Sequence, residues 1–185
     1  MNTLSRRSNT GFSMIEVLVS LLITVVGVLG MVALQSKAIP YTQDSVQRNT
    51  AMMLVDDLVE IIRVAGDCTD TNGCLNSPGA TFPAAAANCI PTPAALQQQI
   101  GCWATRAGKA LPCGSTLLGS YFYICRSLKP GDVTADKDGK PAACATTSLS
   151  NTEVEIQVAW QVKNAADCMD GTTGGVCTYR LRTRF

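Results

Sequence analysis

One carboxylate inside a long apolar run limits what this chain can be. From Phe12 to Ala33 the sequence reads FSMIEVLVSLLITVVGVLGMVA, 22 residues with no charge except Glu16. That length makes about 33 Å of helix at ~1.5 Å per residue, enough to cross the hydrocarbon core of a bilayer. A carboxylate in hydrocarbon is costly unless it finds a cation or a proton, so Glu16 marks a functional position. A short basic leader, MNTLSRRSNTG, precedes the run. A secretory signal peptide places its cleavage site after the apolar core, behind small residues in Ala-x-Ala spacing. That spacing is missing here, and the expected cut lies ahead of the core, between Gly11 and Phe12. The apolar segment then stays on the mature chain. Arg6 and Arg7 are expected to stay cytoplasmic, which sends the C-terminus into the periplasm. The chain divides into a leader over residues 1–11, a long helix over 12–65 with a membrane span at 12–34, and a head over 66–185.

Nine Cys and no His are the other constraint. All nine follow the membrane segment, on the side expected to be oxidising, so cystines are the natural outcome. No two stand in Cys-x-x-Cys spacing, and there is no His for a mixed zinc site, so no metal and no cofactor are expected. Cys68–Cys74 and Cys168–Cys177 close short loops and are plausible local pairs. Cys125–Cys144 is a further candidate, and connectivity among the rest stays open. An odd count leaves one thiol over, read as a buried spare; a bond to another subunit is the alternative.

Helical periodicity continues beyond the membrane segment to about Val64. Met52, Val55, Val59 and Ile62 recur on one stripe, widened by Ala51, Leu54, Leu58 and Ile61. Pro40 is expected to kink or fray this helix, and Gly66 to stop it. The stretch from there to Cys113 reads as loop, except for a short helix over Ala94–Ile100 capped by Thr92 and ended by Gly101. Strands are expected at Ser120–Arg126, at Glu153–Val162 with strict alternation, and at Tyr179–Phe185. The architecture is α+β: a long N-terminal helix on a small antiparallel sheet, with a disulfide-rich middle region.

Other features carry less. Arg180, Arg182 and Arg184 share a strand face with no aromatic residue between them, and Glu153 and Glu155 face the same way on the preceding strand. Cross-strand pairing on a solvated face is expected, not nucleic-acid binding, in keeping with a formal net charge of only +1. Asp132, Asp136 and Asp138 hint at a calcium loop, but the EF-hand pattern needs an acid where Thr134 stands, so a polar turn is expected. Without His, a G-x-S-x-G elbow or a phosphate-binding Gly-rich loop, the chain reads as a non-enzyme.

The order Gly11-Phe12-Ser13-Met14-Ile15-Glu16, behind Arg6 and Arg7, resembles the type IV prepilin signature shared by pilins and type II secretion pseudopilins. The resemblance implies a membrane peptidase that cuts after Gly11 and N-methylates Phe12. It also implies that Glu16, fifth residue of the cut chain, attracts the Phe12 amine of a neighbouring subunit and sets the axial register. The fold implied is pilin-like. The stretch Leu54-Val55-Asp56-Asp57-Leu58 with Glu60-Ile61-Ile62-Arg63, then Trp103, Leu111-Pro112 and Gly114, and the ending Arg-Leu-Arg-Thr-Arg-Phe are similar to PilV-type minor pilins. Such proteins imply as partners other minor pilins, the major pilin, the prepilin peptidase and a possible tip adhesin. They prime assembly from the inner membrane, then sit at the pilus tip, supporting adhesion and twitching motility. A minor pseudopilin of type II secretion and a DNA-uptake pilin are the alternatives.

Overall fold

The computed structural model describes residues 11–66, 68–69, 72–127, 132–136, 140–144, 153–164, 167–168 and 173–184. The apolar periodicity produces one helix, α1, Met14–Ala65, which passes through Pro40 without fraying there. Proline removes one amide donor, and a helix of 52 residues tolerates that loss where neighbouring turns hold. Ser13 opens the helix, its carbonyl accepting the amides of Glu16 and Val17. Gly66 closes it at φ +77°, with its amide donating to the carbonyls of Ile62 and Arg63. That left-handed turn is where glycine carries no steric cost.

The chain forms two compact units divided at Pro40. In the first, every side chain of α1 from Met14 to Ser36 is exposed. It is long and apolar enough to cross a membrane. In the second, Tyr41 onward, one stripe of α1 is buried: Ala51, Leu54, Val55, Leu58, Val59 and Ile62. That stripe shares a core with a second helix, α2 (Leu96–Ala110), through Ile100, Trp103, Ala104 and Ala107. The Trp103 indole N–H donates to the Leu54 carbonyl at 2.7 Å, so the ring is packed and its one polar group is satisfied.

Helix α2 differs from the expected short one. It starts four residues after Thr92, behind an N-cap, Ala95, that offers no side-chain bond, and it continues through Gly101. Gly101 is there for close approach, not termination: a β-carbon at that position would meet the Ala84 carbonyl carbon at 2.6 Å. A single-turn helix, α3 (Gly114–Leu117), follows.

The sheet is antiparallel, in the order β1 (Tyr123–Arg126), β4 (Glu153–Gln161), β5 (Val176–Arg184). A small separate pair, β2 (Thr134–Ala135) and β3 (Pro141–Ala143), lies in the excursion between β1 and β4. In β4, Val154, Ile156, Val158 and Trp160 enter the helix-side core, as the alternation predicts. The opposite side is not solvated as expected. Glu155 and Gln157 are fully buried, and a smaller apolar cluster of Tyr123, Cys125 and Val133 packs with Cys144. Strand period told which residues share a face, but a face is wet or dry only by what covers it.

Four cystines brace this unit: Cys68–Cys74, Cys89–Cys102, Cys125–Cys144 and Cys168–Cys177. The second joins the loop before α2 to α2 itself. Cys113 is the free thiol, and it is exposed, not the buried spare expected. It follows α2 in a left-handed conformation, φ +54°, at the tight passage into α3.

Candidate functional site

The N-terminal face of α1 is the first candidate, built from residues the apolar pattern singled out. Among the described residues, nothing lies within 4 Å of where a side chain at Gly11 would begin. Phe12 is 83% exposed. Three hydroxyls along the apolar stretch of α1 find acceptors on their own helix. Ser20 donates to the Val17 carbonyl at 2.9 Å, Thr24 to that of Ser20 at 2.7 Å, and Ser36 to that of Ala33 at 2.8 Å. Each of these three hydroxyls is thus satisfied within its own helix, which suits an environment without water. Glu16 has no such recourse. Its side chain has no hydrogen-bond or ion-pair partner among the described residues, and it lies in the first turn, where the helix dipole favours a negative charge. That field alone does not offset loss of hydration.

The arginine stripe of β5 is the second candidate, and the register shows what lies opposite it. Glu153 pairs with Arg184, Glu155 with Arg182 and Gln157 with Arg180. Glu153 accepts from Arg184 and Arg182, each at 2.8 Å. Arg180 Nε donates to Gln157 Oε1 at 2.5 Å, and Arg182 Nε lies 3.9 Å from the Glu155 carboxylate. These guanidiniums are engaged within the sheet, and the carboxylates of Glu153 and Glu155 offset part of their charge.

Behind them sits a buried polar group that alternation alone does not reveal. The Tyr123 hydroxyl donates to Glu155 Oε1 at 2.7 Å, and the Ser127 hydroxyl to Oε2 at 3.4 Å. Burial pushes the Tyr123 phenol far above its usual range. The bond to Glu155 and the carboxylate charge push the same way, while Arg180 pulls against them. With Arg182 beside it, Glu155 has the partners a buried carboxylate requires, and the group is structural.

A third polar anchor fastens α1 within the second unit. Asp44, almost wholly buried, accepts the Trp160 indole N–H at 3.0 Å. Arg48, one turn on, lies 3.9 Å from the same carboxylate and 5.8 Å from the Trp160 ring centre. Sequence reading missed Asp44. The available signal was an acid one turn before an Arg on a helix that also buries an aliphatic stripe.

In the aspartate-rich turn, Asp136 accepts the Lys140 amide at 2.9 Å, and no group of potential metal ligands occurs among the described residues. Asp138 lies outside the described residues.

Comparison with known families gives one match, the prokaryotic N-terminal methylation motif, over residues 6–32. The chain is therefore type IV prepilin-like at its N-terminus, a structural-protein signature and not that of an enzyme family. Neither the curated proteins nor the solved structures contain a match to the chain.

Proposed function

We propose that this prepilin-like chain is a minor pilin of a type IV pilus that primes assembly and forms part of the tip complex. The observation that carries the reading is Glu16: a carboxylate in an apolar helix, with no partner among the described residues, within a methylation motif, on a chain that also carries a cystine-braced head. The membrane peptidase cuts after Gly11, where a side chain would crowd its site, and Phe12 is methylated. Until assembly the helix anchors the chain in the inner membrane, with Arg6 and Arg7 cytoplasmic and the head periplasmic.

Assembly then resolves the electrostatic problem of Glu16. The Phe12 amine of a neighbouring subunit supplies the cation, and any other axial offset leaves two unpaired charges at low dielectric. Register follows from that penalty. Below, the chain shares this helix interface with other minor pilins and the major pilin; above, its head supports a tip adhesin. Adhesion and twitching motility depend on it indirectly.

The decisive measurement is the intact mass and N-terminus of the chain, without reduction, in sheared surface pili and in the inner membrane. A chain beginning at methylated Phe12 in the pili is expected, with a mass showing four cystines and one free thiol. The same motif serves the minor pseudopilins of type II secretion, so a processed chain confined to the membrane transfers the reading to them. A chain still beginning at Met1 overturns both.

A further inference from the structure

The loop closed by Cys68 and Cys74 contains Asn72-Gly73, the one Asn-Gly step in the sequence. In this dipeptide the Gly amide nitrogen meets little steric obstruction to attack on the Asn side-chain carbonyl. The structure holds that carbonyl fast. Asn72 Oδ1 accepts the Thr69 amide at 3.0 Å and the Cys74 amide at 3.1 Å. In return, the Asn72 amide donates to Thr69 Oγ1 at 3.3 Å, and the Cys74 amide also reaches the Thr69 carbonyl at 3.3 Å. Gly73, at φ +68°, lies under the Gln97 side chain, whose Cδ is 2.8 Å from where a β-carbon would stand. The loop is itself moored: both half-cystines are buried, and Arg126 Nη2 donates to the Cys68 carbonyl at 3.0 Å.

We propose that Asn72 is a deamidation site controlled by the Cys68–Cys74 cystine. In the reaction the Gly73 backbone nitrogen bonds to Asn72 Cγ and loses its proton, and the side-chain nitrogen leaves as ammonia. Water then opens the resulting succinimide at either carbonyl, giving aspartate or isoaspartate. Ring closure needs the Asn72–Gly73 peptide to rotate, which breaks both bonds to Oδ1 and moves Gly73 against Gln97. With the cystine closed those restraints act together and the site is withheld. With the cystine open the loop loses its covalent closure, and the rotation is free. Isoaspartate adds a backbone atom inside a loop whose half-cystines are six residues apart and removes the side-chain acceptor from its place. A chain that stays unoxidised therefore acquires a permanent chemical mark that an oxidised chain escapes.

The test compares the full-length chain in detergent, cystines intact, with the Cys68→Ser/Cys74→Ser double variant. Both are aged under mildly alkaline conditions and digested, and the Asn72 and Asn76 peptides are followed by mass and by enzymatic isoaspartate methylation. Asn76, followed by Ser and nearly buried, reports any wider unfolding. The double variant is expected to convert Asn72 at least about tenfold faster, the scale set by two lost hydrogen bonds, with Asn76 unchanged. Equal Asn72 rates, or faster conversion in the oxidised chain, overturn the proposal. Acceleration of Asn72 and Asn76 together also overturns it, because unfolding and not the cystine then controls the site.

Discussion

The two stretches of α1 that lie in different units obey the same backbone geometry and opposite packing rules. Between Met14 and Ser36 every side chain is exposed, although nearly all are apolar. Between Tyr41 and Ala65 the helix carries Asp44, Arg48, Asp56, Asp57, Glu60 and Arg63, yet buries six aliphatic residues and one carboxylate. Helix formation thus says nothing about what a helix is for; the pattern around its circumference does. A helix apolar on all sides needs lipid or other helices as its surroundings, whereas a one-sided stripe is satisfied by its own domain. The acids mark the same contrast. Asp44 is matched by Trp160 and Arg48 within the chain, whereas Glu16 has no partner among the described residues.

Substitutions at matched positions break or sharpen that contrast. The largest effect is expected from Gly11→Val: no mature chain forms, and immunoblots show only the slower precursor. A mature N-terminus in that variant refutes the assigned cut. Glu16→Val comes next, processed normally but reduced at least about tenfold in sheared pili, the scale of one unpaired charge costing more than 1.4 kcal/mol. Wild-type abundance of that variant removes Glu16 from registration.

Within the second unit, Leu58→Ala is expected to destabilise the head by about 3 kcal/mol, read from thermal or denaturant unfolding. The matched change Leu22→Ala, at a residue 66% exposed in the first unit, leaves head unfolding unmoved. Similar shifts for both would erase the distinction between the two stretches. Asp44→Ala removes a charged acceptor from a buried indole N–H and is expected to cost about 2 kcal/mol in the same assay. A neutral result would make the anchor dispensable.

The smallest effect concerns alkaline pH. The folded Tyr123 phenol is held above its ordinary value of 10.0, so at lower pH both folded and unfolded phenols keep their protons and stability is unaffected. As pH rises through the ordinary phenol range, only the unfolded chain ionises and folding loses free energy. Phenolate absorbance is expected to show one tyrosine that ionises only as the head unfolds, absent from Tyr123→Phe. A titration identical in both proteins contradicts this account.

How much of this was legible beforehand depended on range along the chain. The membrane-length helix, its acid and its Gly66 stop lie in local pattern, as do the alternation of β4 and the pairing of its acids with the β5 arginines. Cystines closing short loops, Cys68–Cys74 and Cys168–Cys177, are near in sequence and so near in space. The extent of α2 was not legible, because Gly101 looks like a helix stop until the Ala84 backbone is seen lying against it. Nor was the Cys89–Cys102 pair, which depends on where α2 carries Cys102.

By itself, then, the sequence determined the periodicities: which residues form a helix of membrane length, which share a strand face, and that a lone carboxylate sits where hydrocarbon is expected. These follow from 3.6- and 2-residue repeats, which are properties of neighbouring residues. Only the tertiary structure decided which repeats are covered. It buried Glu155 with Tyr123, set Asp44 against Trp160, left Cys113 in the open and kept Gly101 helical. Burial is a relation between segments far apart in the chain, and no local repeat encodes it.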